Sequence, residues 1–337
     1  MNILFTCAGR RNYLINYFKE VVGENDGIFA ADMQKSAPAM VEANKCFIVP
    51  SIYDNNYIEC LAKIIRENKI DALISLNDLE LPILASSRES LEQLGVKLVV
   101  SSNEVIDICF DKWKTNDFLG KIGLNYPKTY LSLEDALSAI DMGQLNFPVV
   151  VKPRWGSASI GIEFPKDREE LKLSYQLQNH KLSKTILAEA STSDINHAIL
   201  IQEKIEGKEF GVDIVNDFEC NNACVIVKEK LAMRAGETDK AVTRDNSTIQ
   251  AIGRKIGAEL KHIGNVDCDI LERDGEYFVL EFNPRFGGGY PFSHEAGANI
   301  PKAYIAWLKG KIADQSCFEV EFDKAFSKCD RLIDIEA

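Results

Sequence analysis

A chain of 337 residues with a formal charge of −12 and a pI near 5.0 has room for two or three domains with ample core. Its acidity argues against a nucleic-acid footprint, which is normally basic, yet allows a local basic pocket for phosphates. Nine cysteines without a C-x-x-C pair and four scattered histidines (His180, His197, His262, His294) argue against a structural zinc site and suit buried free thiols in a reducing cytoplasm.

Residues 1–109 alternate strand and helix. ILFT (3–6), GIFAA (27–31), CFIV (46–49), DALIS (71–75) and KLVV (97–100) read as strands. Helices lie between them, clearest at 12–22, 57–68 and 81–94. Alternating β and α predicts an open parallel sheet covered on both faces. No basic and apolar secretion signal precedes the first strand, and no run of about 18 apolar residues suggests a membrane span. Gly9, Arg10 and Arg11 follow the first strand and Asp32 follows the second. A single glycine is not the G-x-G-x-x-G turn of a dinucleotide site, so nicotinamide binding is disfavoured. Two readings of the arginines stand level: an anion site at a helix N-terminus, or an ordinary strand–helix turn with solvated side chains. Asp78 and Glu80 follow the fourth strand, where ligands of open α/β sheets gather, but Asp78 serves equally as a helix cap.

From Ser102 helices take over, and Asp111 caps one that begins with Lys112. FPVVVK (147–152) is a buried strand ending in Lys152. The stretch from Gly156 through Ser157 and Ser159 to Gly161 joins it to a second extended run, making a flap whose backbone N–H groups can close over phosphates. It is not a Walker A loop, because G-K-[ST] is missing. ILIQEKI (199–205) is a strand. KEFGVDIV (208–215) sets Phe210, Val212 and Ile214 on one side and Glu209, Gly211 and Asp213 on the other. After a Val- and Ile-rich strand, the charged stretch 233–240 reads as an ordered functional loop or a mobile one. In the first reading Arg234 and Lys240 meet phosphate or a substrate carboxylate. Helices follow at 247–263 and 301–309.

Between those helices, NVDCDILERDGEYFVLEFNPRFGGGY (265–290) reads as a β-hairpin with one apolar face and one carboxylate face. A three-residue loop, Arg273-Asp274-Gly275, closed by a glycine bulge pairs Glu272 with Glu276, Asp267 with Glu281, and Asn265 with Asn283. A two-residue loop would put Asp267 and Glu281 on opposite faces. Opposed carboxylates repel in water, but with the Asn283 amide they suit a hard cation such as Mg²⁺. Gly287, Gly288 and Gly289 fit a backbone that must approach a ligand closely.

D-K-x-x-T at 111–115, V-V-K-P followed by G-S-x-S-x-G at 150–161, and E-F-N-P-R at 281–285 together resemble the ATP-grasp superfamily. The last motif is similar to the carbamoyl-phosphate synthetase large subunit and related carboxylate–amine ligases. The resemblance covers residues 100–310 by motif and the first hundred by arrangement. It implies an α/β and α+β protein with the ATP-grasp fold: an N-terminal open parallel α/β domain (1–109), helices and a lid carrying the phosphate flap (110–204), and a nucleotide- and metal-binding part (205–337). On this resemblance Lys112 and Lys152 hold phosphates, with Gly156, Ser157 and Ser159 closing over them. Gln202, Glu203, Lys204 and Ile205 form the adenine hinge, and Glu209 takes ribose hydroxyls. Asp267, Glu281 and Asn283 hold Mg²⁺, for which Mn²⁺ can substitute. Arg285 and Arg234 act on the phosphoryl group or the acyl phosphate.

The implied activity is a cytoplasmic ATP-dependent ligase that joins a small carboxylate to an amine through an acyl phosphate, releasing ADP and phosphate. A complete carbamoyl-phosphate synthetase carries two such units and this sequence one, so that particular activity is not expected. Small molecules are the expected partners, with no nucleic acid or membrane, and a homodimer is compatible. The rival from another class is a non-catalytic ATP-binding regulatory protein on the same fold; an oxidoreductase ranks third.

Overall fold

The computed structural model describes residues 1–156, 161–182, 184–185 and 187–335. Five strands, β1 (Asn2–Thr6), β2 (Gly27–Asp32), β3 (Lys45–Ile48), β4 (Ala72–Ser75) and β5 (Lys97–Val99), form a parallel sheet in the order β3-β2-β1-β4-β5. Helices cover both faces. Leu14, Ile15 and Phe18 of helix Asn12–Lys19 pack on Ile3 and Phe5, together with Phe286 and Tyr304 from the far end of the chain. Tyr57, Leu61 and Ile65 of helix Tyr57–Asn68 pack on Leu4 and Leu73. The strand order reverses between β1 and β4. The crevice beyond their carboxyl ends is therefore where this sheet presents ligand-facing side chains, and Arg11 and Asp78 both sit there. The expected helix at 81–94 is broken at Ser87 into Leu81–Ser86 and Arg88–Glu92.

A small antiparallel sheet follows, β6 (Thr129–Tyr130), β7 (Val149–Pro153) and β8 (Ile199–Glu203), in the order β6-β8-β7. The helices Leu133–Asp141 and Arg168–Leu182 pack on one of its faces through Ala136, Leu171 and Val151. The largest sheet is antiparallel: β9 (Lys208–Asn216), β10 (Asn222–Arg234), β11 (Glu237–Thr243), β12 (Gly264–Arg273), β13 (Glu276–Asn283) and β14 (Ala325–Ser327), in the order β13-β12-β9-β10-β11-β14. Its apolar face carries helix Ser247–Leu260 and the pair Asn103–Phe110 and Lys112–Lys121, with Val212, Ile256, Cys268 and Phe282 in the shared core. The opposite face bears the charged alternate residues. Among the described residues no helix is long and apolar enough to cross a membrane.

The central hairpin corrects the expected register. Arg273 pairs with Glu276, so the loop is the two residues Asp274 and Gly275, with φ of 54° and 82°. Two successive positive φ values match the tight turn whose twist suits a hairpin. That turn alone would put Asp267 and Glu281 on opposite faces. A bulge reverses the effect: Asp269 pairs with Glu281 and Ile270 with Val279, leaving Leu280 as an extra residue on β13. Val279 and Phe282 are both core residues although three positions apart, and this forces the bulge. Asp267 therefore lies opposite Asn283 rather than Glu281, and Glu281 lies opposite Asp269. The carboxylates still share one face, by a route the sequence pattern does not reveal.

Candidate active site

A cavity of about 490 Å³ opens between the small sheet and the charged face of the large one, and Arg11 of the N-terminal crevice reaches its rim. One end is an apolar slot between Val150, Ile162 and Phe164 above and Leu271 and Leu280 below. Gln202, Glu203, Lys204 and Ile205 line this end. Their side chains are held by neighbours. Gln202 Nε2 donates to Thr129 Oγ1 at 2.8 Å, Glu203 accepts from Arg273 Nη1 at 2.9 Å, and Lys204 pairs with Glu206 at 2.8 Å. A flat apolar slot with a strand end on its rim suits a heterocyclic base.

Lys152 projects from β7 into the middle of the cavity and is 4% exposed. Burial brings its amine down to about 8, with Lys112 adding to the effect and Glu281 and Asp269 opposing it. Lys112 lies in the first turn of its helix, behind the Asp111 cap, whose Oδ1 accepts from Trp113 N at 3.0 Å. Asp111 also receives Arg154 on both oxygens, at 2.7 Å each, which pins the helix start to the end of β7. Lys112 Nζ donates to the Gly156 carbonyl and stands 3.9 Å from Glu281 Oε2. Two buried ammonium groups, with no carboxylate closer than Glu281 at 3.9 Å among the described residues, form a polyanion seat.

Facing them is the carboxylate hairpin. Lys230, on β10, donates at 2.7 Å to Glu209 and also lies 2.7 Å from Asp269. Burial alone would lower Lys230, but the two carboxylates outweigh it and hold it above its ordinary value. Burial pushes Asp269 up to about 7, and its neighbours Asp267, Glu281 and Glu209 add to this against Lys230. For Asp267 burial also acts upward, but Arg285, Lys228 and Lys230 prevail and hold it below its ordinary value. Arg285 Nη1 donates to Asp267 at 3.1 Å and Nη2 to Asp78 at 2.8 Å. Beneath this layer Lys228, Asp213 and Ser293 form a buried cluster. Gly287 lies against Asp267: a Cβ built there would come within 2.2 Å of the Asp267 Cγ. Gly287 thus makes room for a carboxylate of the chain itself, and Gly288 lies against another, with Glu237 Cδ 3.3 Å from a Cβ built there.

Among the described residues no three His, Cys, Asp or Glu side chains converge closely enough to hold a metal by themselves. The donor set is instead two carboxylates, Asp267 and Glu281, with the Asn283 amide, all lining the cavity. Mg²⁺ is usually bound by one or two carboxylates and completes its shell with water and substrate phosphates, so these residues fit it.

The structure brings Lys112, Lys152, Gly156, Gln202, Glu203, Lys204, Ile205, Glu209, Asp267, Glu281, Asn283 and Arg285 to one cavity. It does not bring Arg234 there. That residue is half-exposed on the far end of the β10–β11 hairpin, paired with Asp239 and Asp330 at 2.9 and 2.7 Å. Lys240 is exposed on β11. Ser157 and Ser159 lie outside the described residues. Glu80 is turned away from the cavity, accepting from Thr6, Tyr57 and Ser75 at 2.8, 2.5 and 2.6 Å. Of the N-terminal turn, Arg10 is exposed, Gly9 N donates to Asp32 at 2.9 Å, and Arg11 reaches the cavity and the Phe286 carbonyl. Sequence reasoning missed Lys230. The alternation of Lys228 and Lys230 along β10 was the available signal, since period 2 puts both on the carboxylate face.

A small antiparallel lid over a larger antiparallel floor, with buried lysines above and carboxylates below, is a nucleotide-binding architecture. The sequence matches the family models of a PylC-like N-terminal domain over residues 3–99 and an ATP-grasp domain over residues 109–289. The second covers more than half of the chain, which therefore belongs to the ATP-grasp family, whose cofactors are ATP and Mg²⁺. The carbamoyl phosphate synthase large chain of Haemophilus ducreyi is 26% identical over 296 residues, 79% of this chain and 26% of its own length. The chain thus spans about a quarter of that relative. The L-amino acid ligase of Bacillus licheniformis superposes with a TM-score of 0.70 at 19% identity, covering 96% of this chain and 78% of that one. The biotin carboxylase domain of Hydrogenobacter thermophilus 2-oxoglutarate carboxylase, in complex with MgADP, ADP and bicarbonate, superposes with 0.73 at 14% identity, covering 96% and 73%. Both share the fold.

Proposed function

We propose that the chain is an ATP-dependent ligase that joins a small carboxylate to an amine. The carboxylate attacks the γ-phosphate of ATP, ADP leaves, and the amine displaces phosphate from the acyl phosphate. One observation carries this reading: Lys112 and Lys152 face Asp267, Glu281 and Asn283 across one cavity, with Arg285 beside the carboxylates. In this reading the base enters the apolar slot beside residues 202–205, Glu209 meets the ribose, and the two lysines and the flap hold the phosphates. Asp267, Glu281 and Asn283 would hold Mg²⁺, which supplies charge neutralisation at the transferring phosphoryl group. Phosphoryl transfer asks for little covalent work from the protein, so positioning and fixed positive charge do most of it. Arg285 supplies such a charge from a buried position beside the carboxylates, paired with Asp78 and Asp267.

The division into residues 1–109, 110–204 and 205–337, a cytoplasmic location and a homodimer belong to the same proposal. A regulatory protein that only senses ATP would not need the full set of Glu281, Asn283 and Arg285. An ADP-release screen against pooled carboxylates and amines tests the proposal. Release that needs one member of each pool supports it, and binding of ATP without release under every pool contradicts it.

A further inference from the structure

Asp78 lies just past the carboxyl end of β4 and is 6% exposed. Its Oδ2 accepts one bond, from Arg285 Nη2 at 2.8 Å. Its Oδ1 is buried and has no hydrogen-bond partner among the described residues, and the same holds for Arg285 Nε. The other arm of the guanidinium is engaged elsewhere: Nη1 donates to Asp267 Oδ2 at 3.1 Å and to the Phe286 carbonyl at 3.3 Å. Arg285 is thus divided between two carboxylates, with one bond to each. A guanidinium and a carboxylate make their strongest pair with two parallel bonds, and buried polar atoms left unpaired are costly.

Asp267 is also a residue that would hold Mg²⁺, and a cation there competes with Arg285 for the same carboxylate. We propose that Asp78 is the positioning residue that receives Arg285 when this happens. The guanidinium gives up Asp267 and closes Nε and Nη2 on both oxygens of Asp78. The two unpartnered atoms, on groups already in contact, are the unmade half of that pair. Without Asp78, Arg285 is a buried cation left with Asp267 as its one ion-pair partner among the described residues, and it holds that carboxylate against the metal. The N-terminal sheet thereby sets the metal dependence of a nucleotide site built almost wholly from the rest of the chain.

The inference rests on the nucleotide and Mg²⁺ reading above. Its test is calorimetric titration of ADP into the full chain, with and without Mg²⁺, for the wild type, Asp78→Asn and Asp78→Glu. Asp78→Asn still accepts a bond but cannot neutralise Arg285. The Mg²⁺ concentration giving half of the gain in ADP affinity should rise about tenfold in Asp78→Asn, as expected when a group supporting a metal ligand is lost. Metal-free ADP affinity should stay at the wild-type level, and Asp78→Glu should recover most of the Mg²⁺ response. If a ligand-free melt shows Asp78→Asn unfolded, Asp78→Ser takes its place with the same expected shift, because a hydroxyl accepts one bond but cannot neutralise the guanidinium. An unchanged Mg²⁺ half-point in the folded variant overturns the proposal, and so does an equal loss with and without metal. A wild type whose ADP affinity ignores Mg²⁺ overturns the nucleotide-and-metal reading itself, and this proposal with it.

Discussion

Lys152→Met should make the ligand-free protein more stable while removing its grip on nucleotide phosphates. The amine is almost fully buried and is brought down from 10.5 to about 8. At about 1.4 kcal/mol per pH unit, keeping it charged at pH 7 costs the fold roughly 3 kcal/mol. Methionine has a similar length and no charge, so most of that cost disappears. At about 2.1 cal/mol/K of unfolding entropy per residue, each kcal/mol moves the Tm of a chain this long by about 1.4 °C, so Tm should rise by roughly 4–5 °C. The pH dependence fixes the cause. Between pH about 8 and 10.5 the unfolded chain still holds a proton that the folded chain has lost. Wild-type stability therefore rises with pH across that window, and the variant's advantage shrinks to nothing at its top. Paired melts from pH 7 to 10.5 read this directly. Titration of ATP should show much weaker binding by the variant, with adenosine unaffected. A destabilised variant, or an advantage that does not change with pH, would refute the argument that Lys152 is a charge held at a cost for a polyanion.

Gly287→Ala drives a methyl group into the Asp267 carboxylate, whose Cγ is 2.2 Å from the position of the new atom. A loss of about 1–3 kcal/mol of stability is expected, as for other overpacked sites, together with loss of the Mg²⁺-dependent gain in ATP affinity. Denaturant melts and calorimetry check both; an unchanged Mg²⁺ response would show that Asp267 is not a ligand. Glu209→Ala should weaken adenosine itself, by about tenfold for one lost charged hydrogen bond. A nucleotide profile identical to that of Lys152→Met would contradict the separate roles given to ribose and phosphate.

The elements most legible in the sequence were those whose meaning is local. The five N-terminal strands, the Asp111 cap and the Glu209 face of β9 follow from periodicity and cap chemistry, and the structure has them where expected. The hairpin shows where local reasoning stops. A turn was legible there but was read as the three residues Arg273–Gly275, where the structure has the two residues Asp274 and Gly275; the bulge at Leu280 exists because Val279 and Phe282 both fill the core beneath, and that depends on tertiary packing. Two compensating shifts left the carboxylates on one face. Asp78 was ambiguous for the same reason: whether it caps a helix or meets Arg285 depends on a contact across 207 positions. The opposite case is Arg234, whose charged loop suggested function. Period 2 gives Lys230 and Arg234 the same parity along β10, and what separates them is position: Lys230, four residues earlier, meets Glu209 and Asp269.

The most direct test of the account is Mg²⁺-dependent ADP release by wild type and Glu281→Gln, with the substrate pair that the pooled screen yields. Glu281 lies opposite Asp269 and 3.9 Å from Lys112, so the amide keeps the packing while removing the charge that a cation needs. The account predicts release by wild type only with Mg²⁺ and both substrates. In Glu281→Gln it predicts a fall of at least about a hundredfold, with an undiminished ligand-free Tm, since one member of a crowded carboxylate group is gone. Full ADP release by Glu281→Gln would contradict the central claim that this hairpin is the metal-dependent heart of the site.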